Sequence, residues 1–292
     1  MRPVAADALS HPPPERPMSP EAAVPMMGTS STAVTTSVAA LRARAPFSPE
    51  IALVLGSGLG DFADGLENRT VIPTSEIPAF PLSTVEGHKG KLVFARLGEK
   101  KILAFQGRIH FYESDDYRRV LHPIAVASAL GAGVLIVTNA AGGINRQFSP
   151  GDLMIITDHL DLTFEFLPGL PQDTARLSLY DPGFAALAER LAVARGIRIR
   201  KGVYAGVKGP SYETASEVEM VHRLGGDAVG MSTVKEVQLA ALLGMKTLGI
   251  SCITNKATGI GREKLAHAEV TEVANRVRRD FTSLLTDFIL SL

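Results

Sequence analysis

Hydrophobic positions along this chain follow two rhythms, and their alternation predicts strands interleaved with helices. Ile51 to Leu55 is an unbroken apolar run. Leu92 to Leu97 and Ile102 to Phe105 read as a strand pair around Gly98-Glu99. Val134 to Thr138, Leu153 to Thr157, a stretch near Ile197 to Ala205, and Thr247 to Ile253 read as further strands. Helical spacing runs over Ala33 to Arg44, closed by Pro46, over Asp115 to Leu130, and over Gly183 to Ala194. Thr214-Ala215-Ser216-Glu217 and Thr233-Val234-Lys235-Glu236 match the capping box that opens a helix, and Gly225 and Gly244 follow as stops. The final pattern is a long amphipathic helix with Val270, Val273, Val277, Phe281, Leu284 and Phe288 on one face, a stripe best explained by core packing. Such alternation predicts a single α/β domain around a mostly parallel or mixed sheet, flanked by helices.

Residues 1–32 break the pattern. Pro3, Pro12, Pro13, Pro14, Pro17, Pro20 and Pro25 crowd a stretch otherwise rich in Ala, Ser and Met. That composition cannot bury enough surface to order itself, so a disordered extension is expected, with the folded domain at 33–292. Hydrophobic residues make up 46% of the chain, enough for a large core. Thirty basic side chains balance thirty acidic ones, which argues against a nucleic-acid or membrane-surface partner. The single Cys252 excludes an intrachain disulfide and lies in an apolar run, as a buried structural thiol would. No Cys/His cluster has metal-ligand spacing. The best candidate for a membrane span, Ile124 to Val137, is interrupted by Ser128, Gly131 and Gly133, and the opening residues lack a basic-then-apolar leader profile. A cytoplasmic protein is expected.

Chemistry concentrates in five short segments, each where an apolar strand ends. They are Gly56-Ser57-Gly58-Leu59-Gly60, Gly107-Arg108-Ile109-His110, Thr138 through Gly143, Gly230-Met231-Ser232-Thr233 and Thr254-Asn255-Lys256. Loops at strand ends are where α/β proteins bind ligands. The glycines of the first segment let N–H groups converge on an anion, and Ser57 adds a hydroxyl. Asp61 stands where a dinucleotide fingerprint needs its third glycine, so an NAD-type loop is disfavoured. Arg108 suits a bidentate grip on phosphate, and His110 can bond the same anion. A solvated loop with an incidental salt bridge is the competing explanation. Ser232 lies at a helix start, where free N–H groups favour an anion, although a plain N-cap would look the same. Glu213 and Asn255 can read a heterocycle, because an amide both donates and accepts whereas a carboxylate only accepts. His88 and His267 are isolated histidines, and an ordinary surface role competes for each.

Taken together and in order, these pieces resemble the purine nucleoside phosphorylases of the homotrimeric, 6-oxopurine-preferring class. The resemblance also includes Glu86-Gly87-His88 and Gly209-Pro210-Ser211-Tyr212-Glu213-Thr214, and it spans about residue 35 to the C-terminus. It implies a mixed, twisted, partly barrel-like sheet and reversible phosphorolysis of inosine, guanosine and their 2′-deoxy forms. Free base and α-(deoxy)ribose 1-phosphate are the products, phosphate is a co-substrate, and no cofactor is involved. Carried over, Ser57, Arg108, His110, Ser232 and the backbone at Ala140 hold phosphate, with His88 at the mouth of that site. Tyr112, Met231 and His267 touch the ribose, Tyr212 stacks on the base or sugar, Glu213 binds the N1 side, and Asn255 binds N7 and O6. His110, Glu213 and Asn255 are the expected catalytic residues. Methylthioadenosine phosphorylase, of the sister family, is expected to carry Asp for Asn255 and Thr for Ser232, and so is the alternative enzyme; a non-catalytic purine sensor is the alternative of another class. Lys235 replaces a usual Pro, an effect expected to stop at the helix start. The segment Asp158 to Tyr180 is short, with Phe164 and Phe166 as candidates for the aromatic that members donate to a neighbouring subunit. The stretch Gly259 to Glu263 is abbreviated as well.

Overall fold

The computed structural model describes residues 30–85, 87–165, 167, 177–261 and 267–292, without side chains at 30, 31, 267–272, 274 and 275. The expected disordered extension lies outside them, apart from its last three residues, which open the first helix. In chain order the elements are α1 (Ser30–Arg42), β1 (Ile51–Leu55), α2 (Asp61–Asp64), β2 (Thr70–Pro73), β3 (Lys91–Leu97), β4 (Lys100–Gln106), α3 (Tyr117–Leu130), β5 (Val134–Gly143), β6 (Leu153–Asp161), α4 (Pro182–Ala194), β7 (Ile199–Gly206), α5 (Ala215–Arg223), β8 (Ala228–Gly230), α6 (Val234–Leu242), β9 (Lys246–Lys256) and α7 (His267–Ser291).

The sheet runs β2-β3-β4-β1-β5-β8-β7-β6-β9, and β5 also pairs with β9. That last pairing closes β5, β8, β7, β6 and β9 into a ring, while β1, β4, β3 and β2 extend from it as an open wing. The mixed, partly barrel-like sheet expected from the resemblance is therefore present. Parallel pairing joins β1 to β4 and β5, whereas β2, β3 and β4 form an antiparallel meander.

Successive strand residues face opposite sides, so one run of apolar residues serves two cores. Ala52 and Val54 enter a cluster with Val38, Leu121 and Val237, beneath α1, α3 and α6. Ile51, Leu53 and Leu55 enter another with Ala188, Phe281 and Phe288, beneath α4 and α7. The predicted stripe on the last helix is core from Val277 onward, with Phe281, Leu284 and Phe288 fully buried. Val270 lies outside the described side chains.

Two features depart from the sequence reading. The short strands β2 and β8 carry no apolar alternation that would reveal them. More important for the site, Thr138 to Gly143 and Thr254 to Lys256 are paired strand rather than loop. Gly142 and Gly143 pair with Val229 and Ala228 on one side and with Asn255 and Lys256 on the other. Barrel closure gives these polar ends backbone partners, so they stay extended and rigid.

Candidate active site

The cleft opens where these strand ends converge. Of the expected residues, Ser57, Arg108, His110, Tyr112, Ala140, Tyr212, Glu213, Met231, Ser232 and Asn255 line it. His88 does not; it stands behind Ser57 and His110, in a smaller cavity. The side chain of His267 lies outside the described residues, as do Glu86 and Phe166. Lining residues that sequence reasoning gave no role include Val85, Asn139, Gly142, Val229 and Thr254.

Strand β5 is the spine of the site. At Thr138 and Asn139, Gly56 N–H donates to Thr138 Oγ1 (3.1 Å), Arg108 Nη1 donates to the Thr138 carbonyl (2.6 Å), and Asn139 Nδ2 donates to Thr233 Oγ1 (2.9 Å). A Cβ on Gly56 would stand 2.8 Å from that carbonyl, so only glycine lets the first loop approach. Further along, the β5–β9 register slips so that Gly142 faces Asn255 and Thr254 is the extra residue of a bulge. Bulges re-aim side chains, and here the amide of Asn255 is turned into the cleft. At about 3.3 Å per strand residue, Thr138 and Gly142, which mark the two levels, stand roughly 13 Å apart. The groups near Thr138 are of the kind that suits an anion, and those near Gly142 of the kind that suits a heterocycle.

At the first level, Arg108 is almost wholly buried. Its Nε donates to Glu236 Oε1 at 3.2 Å, and Nη2 lies 3.2 Å from Oε2. Nη2 is buried and makes no hydrogen bond of its own, so Glu236 meets it as a charge. Glu236 also accepts from Thr233 N–H (2.9 Å). Its predicted capping role is real, but balancing Arg108 was invisible in the sequence. Thr233 sits at φ 77, costly for a β-branched residue. Ser232 Oγ lies 3.1 Å from Thr233 Oγ1, and Ser232 N–H donates to the Tyr204 hydroxyl (3.4 Å).

Three rings stack beside this level. His88 and His110 lie 5.2 Å apart and His110 and Tyr112 5.0 Å apart, with nearly parallel planes. His88 Nδ1 is 2.6 Å from the Arg108 carbonyl, the geometry of an N–H donor, which leaves Nε2 facing Ser57 Oγ at 3.4 Å. Burial, then the charges of His110 and Arg108, pull the His88 pKa down to about 4, so its ring is neutral at pH 7. Glu113 orients His110: its Oε1 accepts from the His110 N–H (2.6 Å) and stands 3.5 Å from Nδ1. Burial works against the Glu113 carboxylate, but hydrogen bonds from His110 and Thr84 outweigh it and lower its pKa to about 2.

At the second level, Asn255 Oδ1 accepts from Thr254 Oγ1 (2.8 Å) and Nδ2 donates to the Lys256 carbonyl (3.1 Å). Burial raises the Glu213 pKa, and the charge of Glu217 adds to it. That carboxylate is poised to accept a hydrogen bond from a ligand N–H. Among the described residues no group of His, Cys, Asp and Glu could hold a metal ion, and no helix is long and apolar enough to cross a membrane.

Lys235 corrects an expectation. Its effect does not stop at the helix start, because the buried ammonium donates to Asp161 Oδ2 and to the Glu165 carbonyl, each at 2.5 Å.

A family model described as the phosphorylase superfamily matches residues 50–290. Purine nucleoside phosphorylase 1 of Bacillus subtilis is 49% identical over 247 residues, covering 82% of this chain and 91% of that protein. The purine nucleoside phosphorylase of Mycobacterium tuberculosis is 40% identical over 242 residues, covering 82% and 88%. Among solved structures, the Schistosoma mansoni purine nucleoside phosphorylase in complex with inosine superposes with a TM-score of 0.81 at 33% identity, over 89% of this chain and 96% of that one. Likeness of this extent, in sequence and in fold together, makes the chain a member of the phosphorylase superfamily and, within it, of the purine nucleoside phosphorylases.

Proposed function

We propose that this protein catalyses the reversible phosphorolysis of inosine, guanosine and their 2′-deoxy forms, giving free base and α-(deoxy)ribose 1-phosphate. The observation that carries the reading is the two-level cleft along β5, with anion donors at one level and a carboxylate and an amide at the other. Ser57, Arg108, His110, Ser232 and the backbone at Ala140 hold phosphate. Tyr112 and Met231 flank the ribose, Tyr212 covers the base, and His267 takes the far side of the sugar. His88 acts from behind, as a neutral ring supporting Ser57.

Breaking the C1′–N9 bond sends its electron pair into the purine and leaves positive charge on the sugar. A phosphate oxygen then forms the new bond to C1′. Asn255 swings off its local partners, donates to N7 as negative charge grows there, and so strengthens its contact towards the transition state. Glu213 accepts the N1–H of a 6-oxopurine. A 6-aminopurine presents a lone pair at N1 and meets repulsion instead, which favours this reading over methylthioadenosine phosphorylase. A homotrimer is proposed on the same footing. Phe164, 85% exposed just after the turn that ends β6, is the described candidate for a residue given to a neighbour's site, and light scattering reads the assembly mass directly. A cytoplasmic location is part of the same reading.

The test is base release from inosine, guanosine, adenosine and methylthioadenosine, each with and without phosphate. Release from the first two only, and only with phosphate, is expected. Preference for methylthioadenosine would reverse the base assignment. Tight purine binding without turnover would make the protein a sensor.

A further inference from the structure

We infer that Lys235 is a positioning residue for the anion site, clamping the turn after β6 against the first turn of α6 and so fixing the Ser232-Thr233 corner. The inference rests on the phosphate-site reading above. Lysine is an unexpected choice at this position. It is the second residue of α6, where the helix dipole disfavours a cation, and it is only 4% exposed. A buried cation at the wrong end of a helix needs specific partners, and the structure supplies them. Besides Asp161 and the Glu165 carbonyl, the Tyr117 ring lies under Nζ, 5.6 Å from its centroid.

Asp161 makes the clamp two-sided. Its Oδ2 also accepts from Gln238 Nε2 (2.9 Å), one turn further along α6. Its Oδ1 accepts from Thr163 Oγ1 (2.6 Å) and Thr163 N–H (3.2 Å), within the turn itself. One carboxylate thereby ties the helix to the turn by both oxygens.

The corner that benefits is the costly one. Thr233 at φ 77 persists only if its surroundings over-determine it. Asn139 holds its side chain from the barrel side and Glu236 holds its N–H. Neither constrains α6 from the outer side, where the turn lies across a small cavity shared by Thr163, Ser232, Thr233 and Lys235. Lys235 spans that gap. A proline there could make none of these bonds.

The experiment separates positioning from stability. In K235M the phosphate KM is expected to rise about tenfold, the size of losing one charge-assisted hydrogen bond, with the nucleoside KM and the kcat at saturating phosphate near wild type. K235M/D161L removes the whole charge pair, and replacing a buried pair with apolar groups commonly restores stability. If the double variant recovers the unfolding temperature but keeps the raised phosphate KM, Lys235 positions the corner. If both return to wild type, it only stabilises the fold and the inference is overturned. Should K235M not fold, K235Q, which keeps a donor without the charge, takes its place with the same expected rise, and a wild-type phosphate KM there overturns the inference. Inorganic phosphate titrated into nucleoside-free protein gives a readout free of turnover. A responsive wild type with an equally responsive K235M overturns the role of Lys235 alone. A wild type indifferent to phosphate would remove the anion site, and this inference with it.

Discussion

Glu236→Ala tests the electrostatics of the anion site more sharply than removal of any group that faces the ligand. Arg108 and Glu236 have side chains 3% and 4% exposed, joined by two contacts of 3.2 Å. The same carboxylate accepts from Thr233 N–H at 2.9 Å. Deleting it strands a guanidinium in the interior with the Thr138 carbonyl as its remaining hydrogen-bond partner. Breaking a buried pair from one side costs about 3–5 kcal/mol, and losing a helix cap about 1 kcal/mol. The two losses share one side chain and do not add fully, so about 4 kcal/mol is expected, a large part of a typical stability of about 5–15 kcal/mol. Urea unfolding measures it. The stronger half of the prediction concerns phosphate. A ligand at a hundredfold its Kd stabilises a protein by about 2.7 kcal/mol. On the proposed reading the dianion competes with Glu236 for Arg108 in wild type and, in the variant, replaces the lost carboxylate as its counterion. Phosphate is therefore expected to add more stability to E236A than to wild type. A loss below about 1 kcal/mol would show that Arg108 does not depend on Glu236. A phosphate increment no larger than that of wild type would show that Arg108 does not face the anion.

Three further outcomes are expected. Gly56→Ala places a Cβ 2.8 Å from the Thr138 carbonyl and 2.9 Å from Asn139 Cα, both backbone atoms that cannot yield; the glycine loop must withdraw, and phosphate KM should rise at least about tenfold, as losing one charge-assisted bond implies, whereas an unchanged KM refutes the close approach. Asn255→Asp replaces a donor-acceptor with acceptors only, so inosine turnover should fall about a hundredfold, the cost of losing one transition-state donor, while the inosine-to-adenosine ratio drops; an unaltered ratio refutes the base reading. His88, His122 and His159 all have pKa values near 4, each mainly through burial. Between pH 6.5 and 4 the unfolded chain binds protons that the folded chain refuses. Stability present above pH 6.5 is therefore lost as pH falls, at up to about 1.4 kcal/mol per pH unit for each ring. His122→Asn, away from the cleft, should remove one proton from that slope in urea titrations at pH 7, 6 and 5, and an unchanged slope sinks the burial argument.

What the sequence revealed and what it hid divide by how far apart the interacting residues lie. Ile51 to Leu55 was legible as an unbroken apolar run because both of its faces are buried, one in each core. The capping roles of Glu217 and Glu236 were legible because a cap is local. The fate of Thr138 to Gly143 was not: read alone, those glycines signal a loop, and only pairing with β8 and β9 holds them as strand. The same holds for charge. Arg108 announced an anion site, but its counterion lies 128 residues away. Lys235 looked like a blemish in a helix start because Asp161 lies 74 residues before it. The chemical inventory of the cleft was therefore readable, residue type by residue type, whereas its charge balance was not. Among the described residues at the Thr138 level, Arg108 is offset by Glu236 and Lys235 by Asp161, so both buried cations are already paired with carboxylates. On the proposed phosphate-site reading, a dianion entering there draws on donors already aimed and partly held by other partners, so the paired carboxylates should set its affinity as much as the residues that touch it.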